Sequence, residues 1–355
     1  MSILHILTSL WLLVGSYSAA DQEGIKVYQF DTETAQTTFV SGLSGISNPS
    51  FLCLSQDGRR LYAVGEDEGE TATANYLRFD KRRGRLKFVE SRPTHGGAPC
   101  HITLSPDGQM LFTANYMGGS ITAYRLDRRG RLGQPQPYPF EGSSAHPVRQ
   151  TRPYLHAVYF TPDGRQMWCD DLGTDFIHVF PMGPDGRPQL DRDHQRDHFT
   201  KSLLGPRHLC FAPQGQRAYL LGELSGEVCT LDYSEEGRIQ LVQALRADSL
   251  GAGGSADIHI SPDGRFVYTS HRLKGDGLSI LRVKDDGTLA KIGYQPTASH
   301  PRNFTITPDG RYLLVACRDA DEIAVYHRHI FSGLLTDTRL RIHTPKPVCL
   351  LFCQP

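Results

Sequence analysis

His156, Arg207 and Arg302 each stand eight residues before the glycine of a recurring turn, and Glu223 stands eight residues after the turn that follows Arg207. A histidine at such a place can activate water or carry a proton near neutral pH. Guanidinium groups present a rigid fork of donors that binds anions and stabilises an oxyanion as it develops. A carboxylate beside them orients a neighbour, which is also what a purely structural ion pair with Arg207 would do. Any one of the four is compatible with a solvated rim residue. Their shared register is what points to chemistry on one anionic molecule.

The turns that set this register are Ser55-Gln-Asp-Gly58, Ser105-Pro-Asp-Gly108, Thr161-Pro-Asp-Gly164, Ala212-Pro-Gln-Gly215, Ser261-Pro-Asp-Gly264 and Thr307-Pro-Asp-Gly310, at intervals of 46 to 56 residues. Proline presets φ, Asp bonds nearby backbone and Gly accepts φ > 0, so each turn joins two short apolar runs into a β-hairpin. A second ladder, Gly84, Gly130, Gly186, Gly237, Gly287 and Gly333, follows the first by 22 to 26 residues and marks a second hairpin. Two hairpins make four strands, here A to D. Repeats of this length built from short strands predict an all-β propeller, because one four-stranded sheet cannot bury both faces. Residues 11–17 and 25–30 read as strands B and C without an A, and residues 347–352 as an A without a B. Together they predict a seventh blade that closes the ring and removes open sheet edges. The uniform repeat and the lack of a low-complexity linker predict one domain spanning 1–355.

Strands A and B are antiparallel, so residues eight before and eight after each turn glycine meet at the opposite rim. The first set is Ser50, Cys100, His156, Arg207, Ala256 and Arg302; the second is Glu66, Tyr116, Leu172, Glu223, Arg272 and Arg318. Strand A is innermost in a propeller, which puts these residues at the mouth of the central channel. His101, His208 and Asp257 lie one residue further along strand A. Strand alternation predicts that they point away and serve as structural polar groups. The connection before His156 carries His146, Arg149, Gln150 and Arg152, polar enough to close over a ligand.

Lys plus Arg and Asp plus Glu both number 38, and no long basic run exists, which argues against a nucleic-acid partner. The eight cysteines lack CxxC or Cys/His ligand spacing, so reduced buried thiols in a reducing compartment are expected and no metal or cofactor is implied. Residues 3–14 are apolar, but no Lys or Arg precedes Lys26, and cleavage near Ala20 would remove a strand. A cytoplasmic protein is therefore expected, with export through a cleaved signal as the alternative. The run is too short to span a bilayer, so no membrane partner is expected. The oligomeric state is left open, a monomer being compatible.

Leu12-Leu-Val-Gly-Ser-Tyr17, Asp171-Leu-Gly-Thr-Asp175, Gly205-Pro-Arg-His-Leu209, Gly222-Glu-Leu-Ser-Gly226, Asp257-Ile-His-Ile-Ser-Pro-Asp-Gly264 and His300-Pro-Arg-Asn-Phe304 occur in order along nearly the whole chain. In these motifs it resembles the lactonase family of seven-bladed β-propellers, which includes bacterial 6-phosphogluconolactonase and carboxy-cis,cis-muconate cyclase. The resemblance implies a carboxylic ester hydrolase opening 6-phospho-D-glucono-1,5-lactone in the oxidative pentose phosphate route. Alternatives are a carboxylated muconate-like lactone and a non-catalytic binding propeller. It also implies catalytic positions at His156, Arg207, Glu223 and Arg302. Substrate contacts are expected from Arg149, Gln150, Asn115 and Asn303. This chain departs from the family pattern at Tyr154-Leu-His156, which keeps one histidine of a His-x-His pair.

Overall fold

The computed structural model describes residues 9–355. The local chemistry of the turns is visible at Ser105-Pro-Asp-Gly108. The Ser105 hydroxyl donates to Asp107 Oδ1 at 2.6 Å, the same oxygen accepts the Gln109 N–H at 3.0 Å, and the Gly108 N–H donates to the Ser105 carbonyl at 2.9 Å. Gly108 has φ of +67°, a conformation that a Cβ would strain. The same Oγ-to-carboxylate bond recurs at Thr161 and Thr307. These hairpins build seven four-stranded antiparallel sheets. Their innermost strands are Leu52–Leu54, Pro99–Leu104, Leu155–Phe160, Pro206–Phe211, Ser255–Ile260, Pro301–Ile306 and Pro347–Cys353.

The last of these pairs with Ser9–Ser16, Leu350 lying opposite Val14 and Phe352 opposite Leu12, so one blade is assembled from both ends of the chain. That blade packs on both sides. Trp11, Leu13 and Val27 meet Leu61, Ala63 and Leu77 of the following blade, while Leu12, Val14 and Phe30 meet Leu314, Ala316 and Val325 of the preceding one. Neighbouring blades are also latched near the outside. Tyr62, Tyr219 and Tyr268 each donate a hydroxyl hydrogen bond, at 2.7 to 2.9 Å, to the carbonyl of the second-hairpin glycine one blade on, Gly130, Gly287 and Gly333.

All eight cysteines are unpaired, six of them buried. Of the apolar run at the start of the chain, residues 3–8 lie outside the described residues, and the part from Ser9 onward is strand in the closing blade. Among the described residues no helix is long and apolar enough to cross a membrane.

Because Leu12, Leu13 and Val14 are fully buried between blades, deleting residues 1–18 should lower the thermal midpoint by roughly 10 °C or more. A truncated chain that melts within a few degrees of the intact one, by calorimetry, would refute this closure as a source of stability.

Candidate active site

A backbone clamp explains the eight-before, eight-after register. The carbonyl two residues before each strand-A rim position accepts the N–H of the strand-B rim position: Asn48 from Glu66, Ala98 from Tyr116, Tyr154 from Leu172, Gly205 from Glu223, Gly254 from Arg272 and His300 from Arg318, at 2.8 to 3.2 Å. The closing blade repeats it across the chain ends, with Tyr17 N–H donating to Lys346 at 3.1 Å. Several of the accepting residues turn the chain with positive φ, among them Gly205 at +64°, where a Cβ would come within 2.6 Å of Leu224. Arg207 and Glu223 are thereby delivered to the same point of the rim.

Four of the strand-A rim residues are also bulges. The ladder register shifts around Cys100, His156, Arg207 and Arg302, each of which is an extra residue opposite its B strand. A bulge re-aims side chains and breaks strict alternation. For this reason the expectation that His101 and His208 face away does not hold. His208 Nε2 lies 3.4 Å from Arg207 Nη1, and the His208 ring packs edge-on against His156 with centroids 5.2 Å apart. His101 packs at a tilt against Phe51 and edge-on against His208 in the same channel.

At the mouth, Glu223 is the hub. Its Oε2 accepts Arg207 Nε at 2.7 Å and lies 3.4 Å from Arg272 Nη2, while its Oε1 accepts Arg149 Nη2 at 2.6 Å. Burial alone would raise the Glu223 carboxyl, but Arg272, Arg207 and Arg149 outweigh it and hold it down at about 2. Arg272 is tied further to the Gly254 and Ser255 carbonyls, and burial with Arg207 and Arg302 nearby pushes it down to about 9, still charged at neutral pH. Arg302 stands apart: its guanidinium lies over the Tyr17 ring at 5.3 Å and meets Glu66 and Glu223 only through space. Tyr17 donates to Glu66 at 2.9 Å, and Ser50 donates to the same carboxylate. His156 is buried, its Nδ1 has no hydrogen-bond partner among the described residues, and burial together with Arg207, His208 and Arg302 drives it well below the usual histidine range. It is a neutral ring at neutral pH. Among the described residues no group of three or more His, Cys, Asp and Glu is arranged to hold a metal ion.

The family model described as "Lactonase, 7-bladed beta-propeller" matches residues 11–352. The chain belongs to this lactonase family. It is 32% identical over 332 residues to a 6-phosphogluconolactonase of Formosa agariphila, covering 91% of this chain and 94% of the relative. A putative 6-phosphogluconolactonase of Bacteroides fragilis superposes with a TM-score of 0.94 at 40% identity, over 99% of this chain and 100% of that one. The periplasmic gluconolactonase PpgL of Pseudomonas aeruginosa superposes with a TM-score of 0.90 at 32% identity, over 97% and 99%.

In this lactonase-family propeller His156, Arg207, Glu223 and Arg302 come together on one mouth, and Arg149 reaches it from the polar loop. Two of the expected substrate contacts are corrected. Asn115 is buried within its blade, donating to Ser120 and Thr122 at 3.0 and 2.9 Å. Gln150 is fully buried and spends its amide on the Leu172 carbonyl and the His146 N–H, which shapes the loop that carries Arg149. Asn303 lines the channel, but its amide is spent on Asp257 and on the Leu350 N–H, so it supports the site from below. Arg272, Glu66 and Tyr116 share the rim register and join the site as well, Tyr116 accepting from Arg149 at 3.3 Å. Tyr17 has no turn glycine to count from, because its hairpin is split between the chain ends. Its only signal is the motif in which it sits.

The low Glu223 value gives a signed expectation. A carboxylate depressed in the folded state contributes stability that is fully present above its ordinary value, near 4.5, and is lost as pH falls through about 2. Glu223→Gln should therefore melt several degrees below the parent chain at pH 6, and the gap should close as pH falls toward 2. A gap that stays constant across that range would rule out the arginine cluster as its origin.

Proposed function

We propose that this chain hydrolyses 6-phospho-D-glucono-1,5-lactone to 6-phosphogluconate as a carboxylic ester hydrolase, with residues 1–355 forming one propeller domain. The observation that carries this reading is the excess of positive charge at the mouth. Four arginines, Arg149, Arg207, Arg272 and Arg302, face two carboxylates, Glu223 and Glu66. An anionic molecule is needed to balance them. The curated relatives and structural neighbours named as lactonases supply the reaction class.

The arginines divide by depth. Arg207 and Arg272 are buried and spend their donors on Glu223 and backbone carbonyls. Arg302, whose fork has no hydrogen-bond partner among the described residues, stabilises the oxyanion formed when water adds to the lactone carbonyl. Arg149 sits at the rim with one edge on Glu223, and its remaining donors hold the phosphate at the open side. His156 supplies a neutral ring whose Nδ1 is kept free of protein partners for a ligand group. A lactone carrying a carboxylate instead of a phosphate would suit the same arginines and is the competing substrate.

We place the chain in a reducing, cytoplasmic compartment. Eight unpaired cysteines support this, and so does the strand Ser9–Ser16, which a cleavage near Ala20 would remove from the closing blade. The periplasmic location in the name of the Pseudomonas relative belongs to that protein.

The phosphorylated lactone should exceed unphosphorylated gluconolactone in kcat/KM by about 10²-fold or more, since a charge-assisted bidentate contact is lost with the phosphate. Arg149→Ala should raise KM for the phosphorylated substrate, while Arg302→Ala should lower kcat by about 10²-fold. Rates are to be measured after subtracting spontaneous hydrolysis. Equal rates on the two sugar lactones, with a carboxylated lactone preferred to both, would overturn the phosphate assignment.

A further inference from the structure

Directly beneath the arginines, three ionisable side chains are linked along the channel. His208 Nδ1 lies 2.8 Å from Asp257 Oδ1, and Asp257 Oδ2 lies 3.0 Å from His259 Nε2. Asp257 also accepts Asn303 Nδ2 at 2.6 Å and the N–H groups of Ile258 and Phe304 at 3.0 and 3.2 Å. Five donors fix both oxygens and favour the ionised carboxylate. Although burial opposes charge there, His259 and His208 hold Asp257 well below the usual carboxylate range.

An ionised Asp257 makes Nδ1 the protonated nitrogen of His208 and leaves the lone pair on Nε2. That nitrogen is on the side of the mouth, 3.4 Å from Arg207 Nη1, a contact at the long end for a hydrogen bond. His208 also lines, with Ser50, Cys100, Arg207 and Arg302, a cavity of about 10 Å³, room for roughly one water. A base oriented by a carboxylate, beside a water-sized space that also touches two guanidinium groups, is the arrangement that nucleophile activation requires. His156 has none of this support. Among the described residues no carboxylate fixes its tautomer, and an imidazolium there would sit among Arg207, Arg302 and Arg272, whereas Asp257 partly offsets the burial and the Arg207 charge that hold His208 down to about 4.

We propose that His208 is the proton acceptor for lactone opening and Asp257 its positioning residue, an assignment that rests on the lactone-hydrolysis reading. Water in the small cavity attacks the lactone carbonyl carbon while His208 Nε2 takes one of its protons. The ring C–O bond then breaks, and His208 returns that proton to the departing ring oxygen. The new carboxylic acid ionises to solvent, so one water is consumed and one proton released.

The test uses the full-length chain and 6-phospho-D-glucono-1,5-lactone. His208→Gln and Asp257→Asn should each lower kcat by about 10²-fold or more with KM within about threefold, and the double variant should be no worse than the poorer single. Added imidazole should restore part of the rate of His208→Gly, which a packing role would not permit. A folded His208→Gln or Asp257→Asn with kcat within about threefold of the parent overturns the assignment and leaves the lactonase reading standing. A parent chain no faster than spontaneous hydrolysis overturns both. If the variants do not fold, ¹⁵N NMR of the parent decides: His208 protonated on Nδ1 and bare on Nε2 supports the dyad, and the opposite tautomer refutes it.

Discussion

Ring closure is the constraint on which everything else depends. The pairing of Ser9–Ser16 with Pro347–Cys353 makes one blade from two chain ends separated by the whole sequence. Only a closed ring turns seven separate sheets into walls of one channel, and only then do strand-A residues from distant repeats face each other. His156, Arg207 and Arg302 share no local interaction in the sequence. They meet because each is the rim residue of a blade whose angular place is set by its two neighbours.

Within that ring the mouth is a problem of charge. Burying several guanidinium groups together is unfavourable unless counter-charge and carbonyl acceptors accompany them. Glu223 meets that demand for Arg149, Arg207 and Arg272, and the Ala256, Gly254 and Ser255 carbonyls take further donors. The Glu66, Tyr17 and Ser50 group provides only through-space compensation to Arg302. One arginine is thereby left with open donors among others that are committed. A preorganised site of this kind has little reorganisation to undergo when an anion arrives.

The same rigidity extends down the channel. Asp257 is held by side chains from three blades: its own through His259, the preceding one through His208, and the following one through Asn303. Asn303 in turn accepts from the Leu350 N–H of the closing blade. Ring closure and the orientation of the channel histidines are thus mechanically one network. A cavity of about 700 Å³ lies instead around the turns at Gly215 and Gly264, away from these groups.

The blade, the count of seven and the rim register could all be read from local turn chemistry along the chain. Turn chemistry is local: a Pro-Asp-Gly turn forms the same hairpin wherever it stands, and a fixed strand length then fixes which residue reaches the rim. It is why His156, Arg207, Glu223 and Arg302 were legible without coordinates. Tertiary structure decided what depends on more than one blade or on departure from strand alternation. The bulges at His156 and Arg207 brought His208 into the channel, where period-two counting would have sent it away. Asn115 and Gln150 turned inward because buried hydroxyls and carbonyls needed their amides. Tyr17 joined the site only because the chain ends pair, and no count from a turn glycine can cross a hairpin that the sequence leaves split.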